Sequence, residues 1–208
     1  MTPIVYLHGF ASGPSSTKAR FFRNRLVRNG AQVTVPDLAG GDFEHLTITR
    51  QLKVLAEAAP PGPVDLIGSS MGGYVAALYA ASHPEVRRLV LLAPAFGFGN
   101  RWPERLGPVA MERWRTTGTI DVFHYASGCN RPLRYDLIAD AAGYEDEPGF
   151  SQPALIFHGA HDDVVPVRYS QVFAAAHPNT RLEILDSGHD LLNVLDEILP
   201  KAMAFLGA

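Results

Sequence analysis

The chain has 208 residues, 47% of them apolar and 19% charged, with a formal net charge of −3, which fits one domain with a sizeable core and is too short for two of typical size. Lys and Arg are scattered rather than clustered, which argues against nucleic acid or an anionic membrane as a partner. Cys129 is the only cysteine, so an internal disulfide is excluded and a reducing compartment is the natural reading.

Met1 to Pro3 lead straight into Ile4-Val5-Tyr6-Leu7, without the basic and then apolar segments of a signal peptide. No window approaches the roughly 18 unbroken apolar residues of a membrane span, so the expectation is a cytoplasmic protein. A buried strand is expected over 3–7, followed by a helix over 17–29 and a strand over 32–35. A helix over 46–59 and a strand over 64–67 come next. The helix expected over 71–82 places Tyr74, Ala77, Leu78 and Ala81 on one face. After a strand over 88–93, the alternation breaks from 94 to 152, a stretch too long for an ordinary loop. It reads as an insertion lying over the sheet, with short helices at 103–115 and 134–142. Thr116-Thr117-Gly118-Thr119 has turn character there and could close a hairpin ending at His124-Tyr125. Strands at 154–157 and 181–185, with helices at 167–176 and 190–206, complete the pattern. Six strands alternating with helices predict an α/β fold with a doubly wound, mainly parallel six-stranded sheet in a single domain.

Gly68-Ser69-Ser70-Met71-Gly72 matches G-x-S-x-G, between a strand and a helix. Chemistry at such a serine needs a tight turn that projects the hydroxyl from the carboxyl edge of the sheet. A bare match arises by chance in roughly one chain in ten, so its placement carries the weight. Only Ser70, not Ser69, has glycine at both −2 and +2. A serine hydroxyl also needs a base, itself oriented by a carboxylate, and in this order the acid and then the base follow the serine in sequence. After strand 154–157 the chain reads His158-Gly159-Ala160-His161-Asp162-Asp163-Val164-Val165-Pro166; after strand 181–185 it reads Asp186-Ser187-Gly188-His189-Asp190. His189 is the candidate base. Asp162 is preferred over Asp163 as the acid, from its place in H-G-x-x-D-x-x-V-P, with Asp163 an exposed loop residue. His158, His161 and the aspartates lack an established ligand spacing, so no metal is assigned.

The first strand ends in His8-Gly9-Phe10-Ala11-Ser12-Gly13-Pro14. An H-G pair before a flexible loop fits one half of an oxyanion hole, whose donors are expected to be the N–H groups of Phe10 and Met71. His8 is expected to be a structural hydrogen-bonder beneath the loop, with Ser12, Ser15 and Ser16 as turn or capping residues.

These motifs together resemble the α/β-hydrolase superfamily across almost the whole chain. The run from Tyr6 to Ala19 further resembles the small bacterial YqiA-like esterases. The resemblance implies hydrolysis of a small-molecule ester or thioester without a cofactor, with Ser70 as nucleophile, Asp162 as acid, His189 as base, and Phe10 and Met71 as oxyanion donors. The sequence opens directly on the strand that leads to His8-Gly9, so the antiparallel strands that open larger hydrolases are not expected and the fold is expected to be N-terminally minimal. The insertion, expected to act as a cap, is longer than in the smallest esterases. Its aromatic residues, Phe96, Phe98, Trp102, Trp114, Phe123 and Tyr125, either line an acyl or alcohol pocket or form a small core fixing the cap. Carboxylesterase is the first expectation, with thioesterase as the alternative in the same chemistry. A ligand-binding sensor on a hydrolase scaffold is the rival from another class.

Overall fold

The computed structural model describes residues 1–207. Six strands form one sheet: β1 (Ile4–Leu7), β2 (Val33–Thr34), β3 (Val64–Ser69), β4 (Val86–Leu92), β7 (Ala154–Gly159) and β8 (Thr180–Leu185), in the order β2-β1-β3-β4-β7-β8. Every pairing in it is parallel. Every residue of β1, β3 and β7 is buried, as strands covered on both faces must be.

Alternate residues feed two cores. Val5, Leu7, Leu66, Leu89, Leu91 and Ile156 belong to one. Ile4, Tyr6, Ile67, Val90, Leu92, Leu155 and Phe157 belong to the other. Helices α1 (Thr17–Arg28) and α7 (Leu195–Leu206) cover the second face. α1 turns Ala19, Phe22 and Leu26 inward, and the Ser16 hydroxyl accepts the Ala19 N–H at its start. Helices α2 (Ile48–Ala58), α3 (Met71–Ser82) and α6 (Arg168–Ala176) bury Leu55, Tyr74 and Phe173 in the first core.

The chain between β4 and β7 holds α4 (Phe98–Thr117), a two-stranded antiparallel hairpin of β5 (Thr119–His124) and β6 (Cys129–Arg134), and α5 (Asp136–Ala141). It is stitched to the body by polar contacts. The Thr49 N–H donates to Asp140 at 2.9 Å, Tyr74 Oη donates to the Glu145 carbonyl at 2.9 Å, and the Arg134 N–H donates to the Glu44 carbonyl at 2.9 Å.

Three local expectations are corrected. α3 has no single apolar face: it is buried almost all round, while Ala81 is exposed. A helix covered by both the sheet and the insertion has no polar side to reveal its period. The hairpin turn lies at 125–128, not at Thr116–Thr119; Gly118 instead ends α4 in the left-handed conformation. The expected helix over 190–206 is a 3-10 turn (Leu192–Val194) followed by α7, because Leu191 takes a positive φ of 55° just before it.

Candidate active site

Ser70 sits between β3 and α3 with φ 52° and ψ −117°, a region that an L-residue occupies only under constraint. The constraints are visible. Its N–H donates to the Leu92 carbonyl at 2.9 Å, and its carbonyl accepts from the N–H groups of Gly73, Tyr74 and Ala95. Gly72 permits the turn to approach β1, since a methyl group there would meet the Leu7 and His8 carbonyl oxygens at 2.3 and 2.5 Å.

The loop after β8 carries His189 and is fixed by Asn193, which donates to the Asp186 carbonyl at 2.9 Å and accepts from Ser187 Oγ at 2.5 Å. His189 Nε2 lies 3.0 Å from Ser70 Oγ, and His189 Nδ1 lies 2.7 Å from Asp162 Oδ2. With Nδ1–H donating to the carboxylate, Nε2 is left to accept the serine proton. Asp162 Oδ1 accepts the N–H groups of Val164 and Val165 at 2.9 and 2.7 Å. Asp163 is exposed.

Burial alone would raise the Asp162 carboxyl. Hydrogen bonds from His158 and His189, the charge of His189 and the Val165 N–H outweigh it and hold the group well below the usual carboxylate range. His158 is fully buried in this network. One ring nitrogen meets Ser170 Oγ at 2.8 Å; the other lies 2.8 Å from the Val165 carbonyl and 3.1 Å from Asp162 Oδ2. His158 is therefore a second histidine on this carboxylate, a role that its sequence position in β7 does not signal. His161 turns away to Asp186 at 2.9 Å. Among the described residues no group of three or more His, Cys, Asp or Glu is placed to hold a metal ion.

An open cavity with an accessible volume of about 70 Å³ lies over Ser70 and is lined by Phe10, Met71, Phe98, Arg101, Trp102 and Arg105, with Ala95, Val164 and Val165. Met71 is the first residue of α3, so helix geometry gives its N–H no partner within the helix. Beneath the Phe10 loop, His8 Nε2 accepts the Leu38 N–H at 3.0 Å, the structural position expected for it.

Of the six aromatics expected at the pocket, Phe98 and Trp102 line it. The other four are corrected. Phe96 stacks on Phe173 at 4.2 Å in the core, and buried Trp114 donates its indole N–H to the Leu133 carbonyl at 3.0 Å. Phe123 and Tyr125 pair edge to face on the hairpin, 48% and 74% exposed. A thin insertion must bury some of its own aromatics to stay folded, and at Phe96 and Trp114 that need decides the outcome. The sequence reading overlooked Arg101 and Arg105, whose signal was their spacing: with Phe98 and Trp102 they fall at i, i+3, i+4 and i+7.

A family model described as "Uncharacterised protein family (UPF0227)" matches residues 3–207. The chain belongs to UPF0227. This UPF0227 chain is also 25% identical over 228 residues to 2-hydroxymuconate semialdehyde hydrolase of Pseudomonas putida, an alignment covering 90% of this chain and 80% of that protein. It is 27% identical over 197 residues to a pimeloyl-[acyl-carrier protein] methyl ester esterase of Xanthomonas campestris pv. campestris, covering 76% of each. The solved structure of mouse alpha/beta hydrolase domain-containing protein 10 superposes with a TM-score of 0.80 at 18% identity, covering 99% of this chain and 89% of that one. The fold of this UPF0227 member is that of the α/β hydrolases. No described helix is long and apolar enough to cross a membrane.

Proposed function

We propose that this α/β-hydrolase is a serine carboxylesterase that works through an acyl-enzyme on Ser70. The observation that carries the reading is the unbroken relay from Ser70 Oγ through His189 to Asp162, at 3.0 and 2.7 Å. Both relatives whose names describe a reaction, the P. putida hydrolase and the X. campestris methyl ester esterase, support a hydrolase, and the second supports an ester.

In the first step the Ser70 hydroxyl gives its proton to His189 Nε2 while Oγ bonds to the ester carbonyl carbon, whose π pair moves onto oxygen. Asp162, held ionised, keeps His189 in the required tautomer and stabilises the imidazolium. The N–H groups of Phe10 and Met71 hold the oxyanion; each such donor is worth about 2.7–4 kcal/mol of transition-state stabilisation. Collapse of the intermediate breaks the bond to the alcohol oxygen, which leaves with the proton from His189. Water then gives a proton to His189 and attacks the acyl carbon; the bond to Ser70 breaks, and Oγ recovers the proton. One ester and one water become one acid and one alcohol. The insertion caps the cavity and bounds the acyl or alcohol part.

A fluorophosphonate probe should label Ser70, with turnover of p-nitrophenyl esters lost in Ser70→Ala and labelling strongly slowed in His189→Ala. Failure to label Ser70, or labelling indifferent to His189→Ala, sinks the proposal. Matched oxygen and sulfur esters should show the oxygen series hydrolysed at least as well; strong preference for sulfur would make the enzyme a thioesterase.

A further inference from the structure

The cavity over Ser70 holds charge as well as hydrocarbon. Phe98, Arg101, Trp102 and Arg105 occupy one face of the first half of α4, so two aromatic rings and two guanidinium groups share the same space. Arg101 is half-buried and fixed in place: Nε donates to the Phe96 carbonyl at 3.1 Å and Nη1 to the Val164 carbonyl at 3.0 Å. The guanidinium also lies over the Tyr169 ring, 5.9 Å from its centre. A guanidinium has five N–H groups, so the two carbonyls leave the rest without a hydrogen-bond acceptor among the described residues.

Among the described residues neither Arg101 nor Arg105 has a carboxylate partner, as is true of most arginines of the chain; what sets these two apart is that they line the cavity over Ser70, with Arg101 half-buried there. The nearby acids are otherwise engaged. Asp146 accepts from the Gly99 N–H and from Asn100, and Asp162 is held by two histidines and two backbone N–H groups. Burial works against the Arg101 charge, Tyr169 and Asp162 offset it in part, and Arg105 places a second cation beside it. An arginine cannot escape by losing its proton. Two unpaired cations facing a partly apolar cavity are complementary to an oxyanion, which a planar guanidinium binds through parallel N–H donors.

The geometry points to an ester substrate that carries a second, anionic group of the carboxylate or phosphate class, bound by Arg101 inside the cavity and drawn in by Arg105 at its mouth. This rests on Ser70 as the acylated residue and concerns which esters reach it. The apolar walls from Phe98, Trp102, Val164 and Val165 take the hydrocarbon between the anion and the scissile carbonyl.

The test compares kcat/KM on matched probes. p-Nitrophenyl hexanoate is set against the p-nitrophenyl half-ester of adipate and against a hexanoate ester ending in a phosphate. A butyrate ester of ethanol is set against the butyrate esters of glycolate and of a phosphorylated ethanol, which moves the charge to the alcohol side. The wild-type protein should favour at least one anionic probe over its neutral match by roughly ten- to a hundredfold. Whether the favoured probe bears carboxylate or phosphate identifies the group. Arg101→Gln should bring that ratio towards one. Arg105→Gln, whose side chain makes no protein hydrogen bond, should lower it several-fold, and added salt should erode it. No anionic preference in the wild-type protein overturns the proposal and leaves the esterase reading standing. So does an Arg101→Gln variant that slows neutral and anionic probes equally while Arg105→Gln leaves the ratio unchanged, since Arg101 would then be only a strut between Phe96 and Val164. If no probe is turned over and Ser70 is not labelled, both readings fall.

Discussion

Asp162 uses its two oxygens differently, and the difference yields predictions. Oδ1 is tied to its own loop by two N–H groups, while Oδ2 faces His189 and His158. Asp162→Asn keeps the shape but loses the charge that sets the His189 tautomer, so kcat should fall by on the order of 10³–10⁴-fold. Asp163→Asn, on an exposed side chain, should stay within a few-fold; equal losses would mean the carboxylate is mis-assigned. The same change tests stability. Because the folded Asp162 group is held below its unfolded value of about 3.9, its contribution is complete above that pH and is lost as the pH falls towards the folded value. The gap in unfolding free energy between wild type and Asp162→Asn should therefore narrow below about pH 4. His158 acts through Asp162, as a positioning residue. His158→Gln should lower kcat roughly tenfold with KM little changed, about the worth of one charge-assisted hydrogen bond; a KM effect alone would argue against this role. The placement of Ser70, Asp162 and His189 was legible in the sequence because each follows a recognisable strand. His158 was not, because a buried strand histidine that meets a carboxylate of the following loop leaves no spacing signature.

At the scale of elements, legibility followed burial. β1, β3 and β7 read cleanly because parallel strands covered on both faces become continuous apolar runs, whereas the edge strands β2 and β8 are only partly buried and show a weaker pattern. The insertion did not. The short helix expected over 103–115 is part of a longer element: α4 runs from Phe98 to Thr117, with Pro103 and Pro108 inside it, and yields at Gly107, with φ 75° and ψ 163°. That conformation belongs almost exclusively to glycine, and nothing lies within 4 Å of where a methyl group would stand. Gly107→Ala therefore isolates the backbone cost. It should reduce unfolding free energy by about 1–3 kcal/mol in a urea titration, and an unchanged midpoint would show that the two halves of α4 can straighten instead. The break separates the cavity-facing turns that carry Arg101 and Arg105 from the turns that anchor Trp114 against β6. The sequence reading looked for a pocket in aromatic side chains alone. Four of the six serve the core or lie on the surface, and the signal of the two arginines beside the other two lies in their helical spacing.

At the scale of the whole molecule, charge partly withdrawn from water near the sheet's carboxyl edge should register in the pH dependence of folding. Lys18, on α1, faces Asp190 and Asp162; burial nevertheless pushes its ammonium down to about 8. The unfolded chain keeps that proton to about pH 10.4, so unfolding free energy should rise with pH between those values. Lys18→Met should flatten that rise, and an equal slope in both proteins would show that Lys18 reaches solvent. The edge position of β8 has a further consequence, for the timing of synthesis. On the proposed mechanism the nucleophile emerges early, on a central strand, whereas the base hangs on the outermost strand, 119 residues later. A nascent chain thus carries a formed serine turn with no proton acceptor until its final strand docks. Ester turnover would then report completion of the sheet in a refolding experiment, lagging any probe placed at β1 or β3.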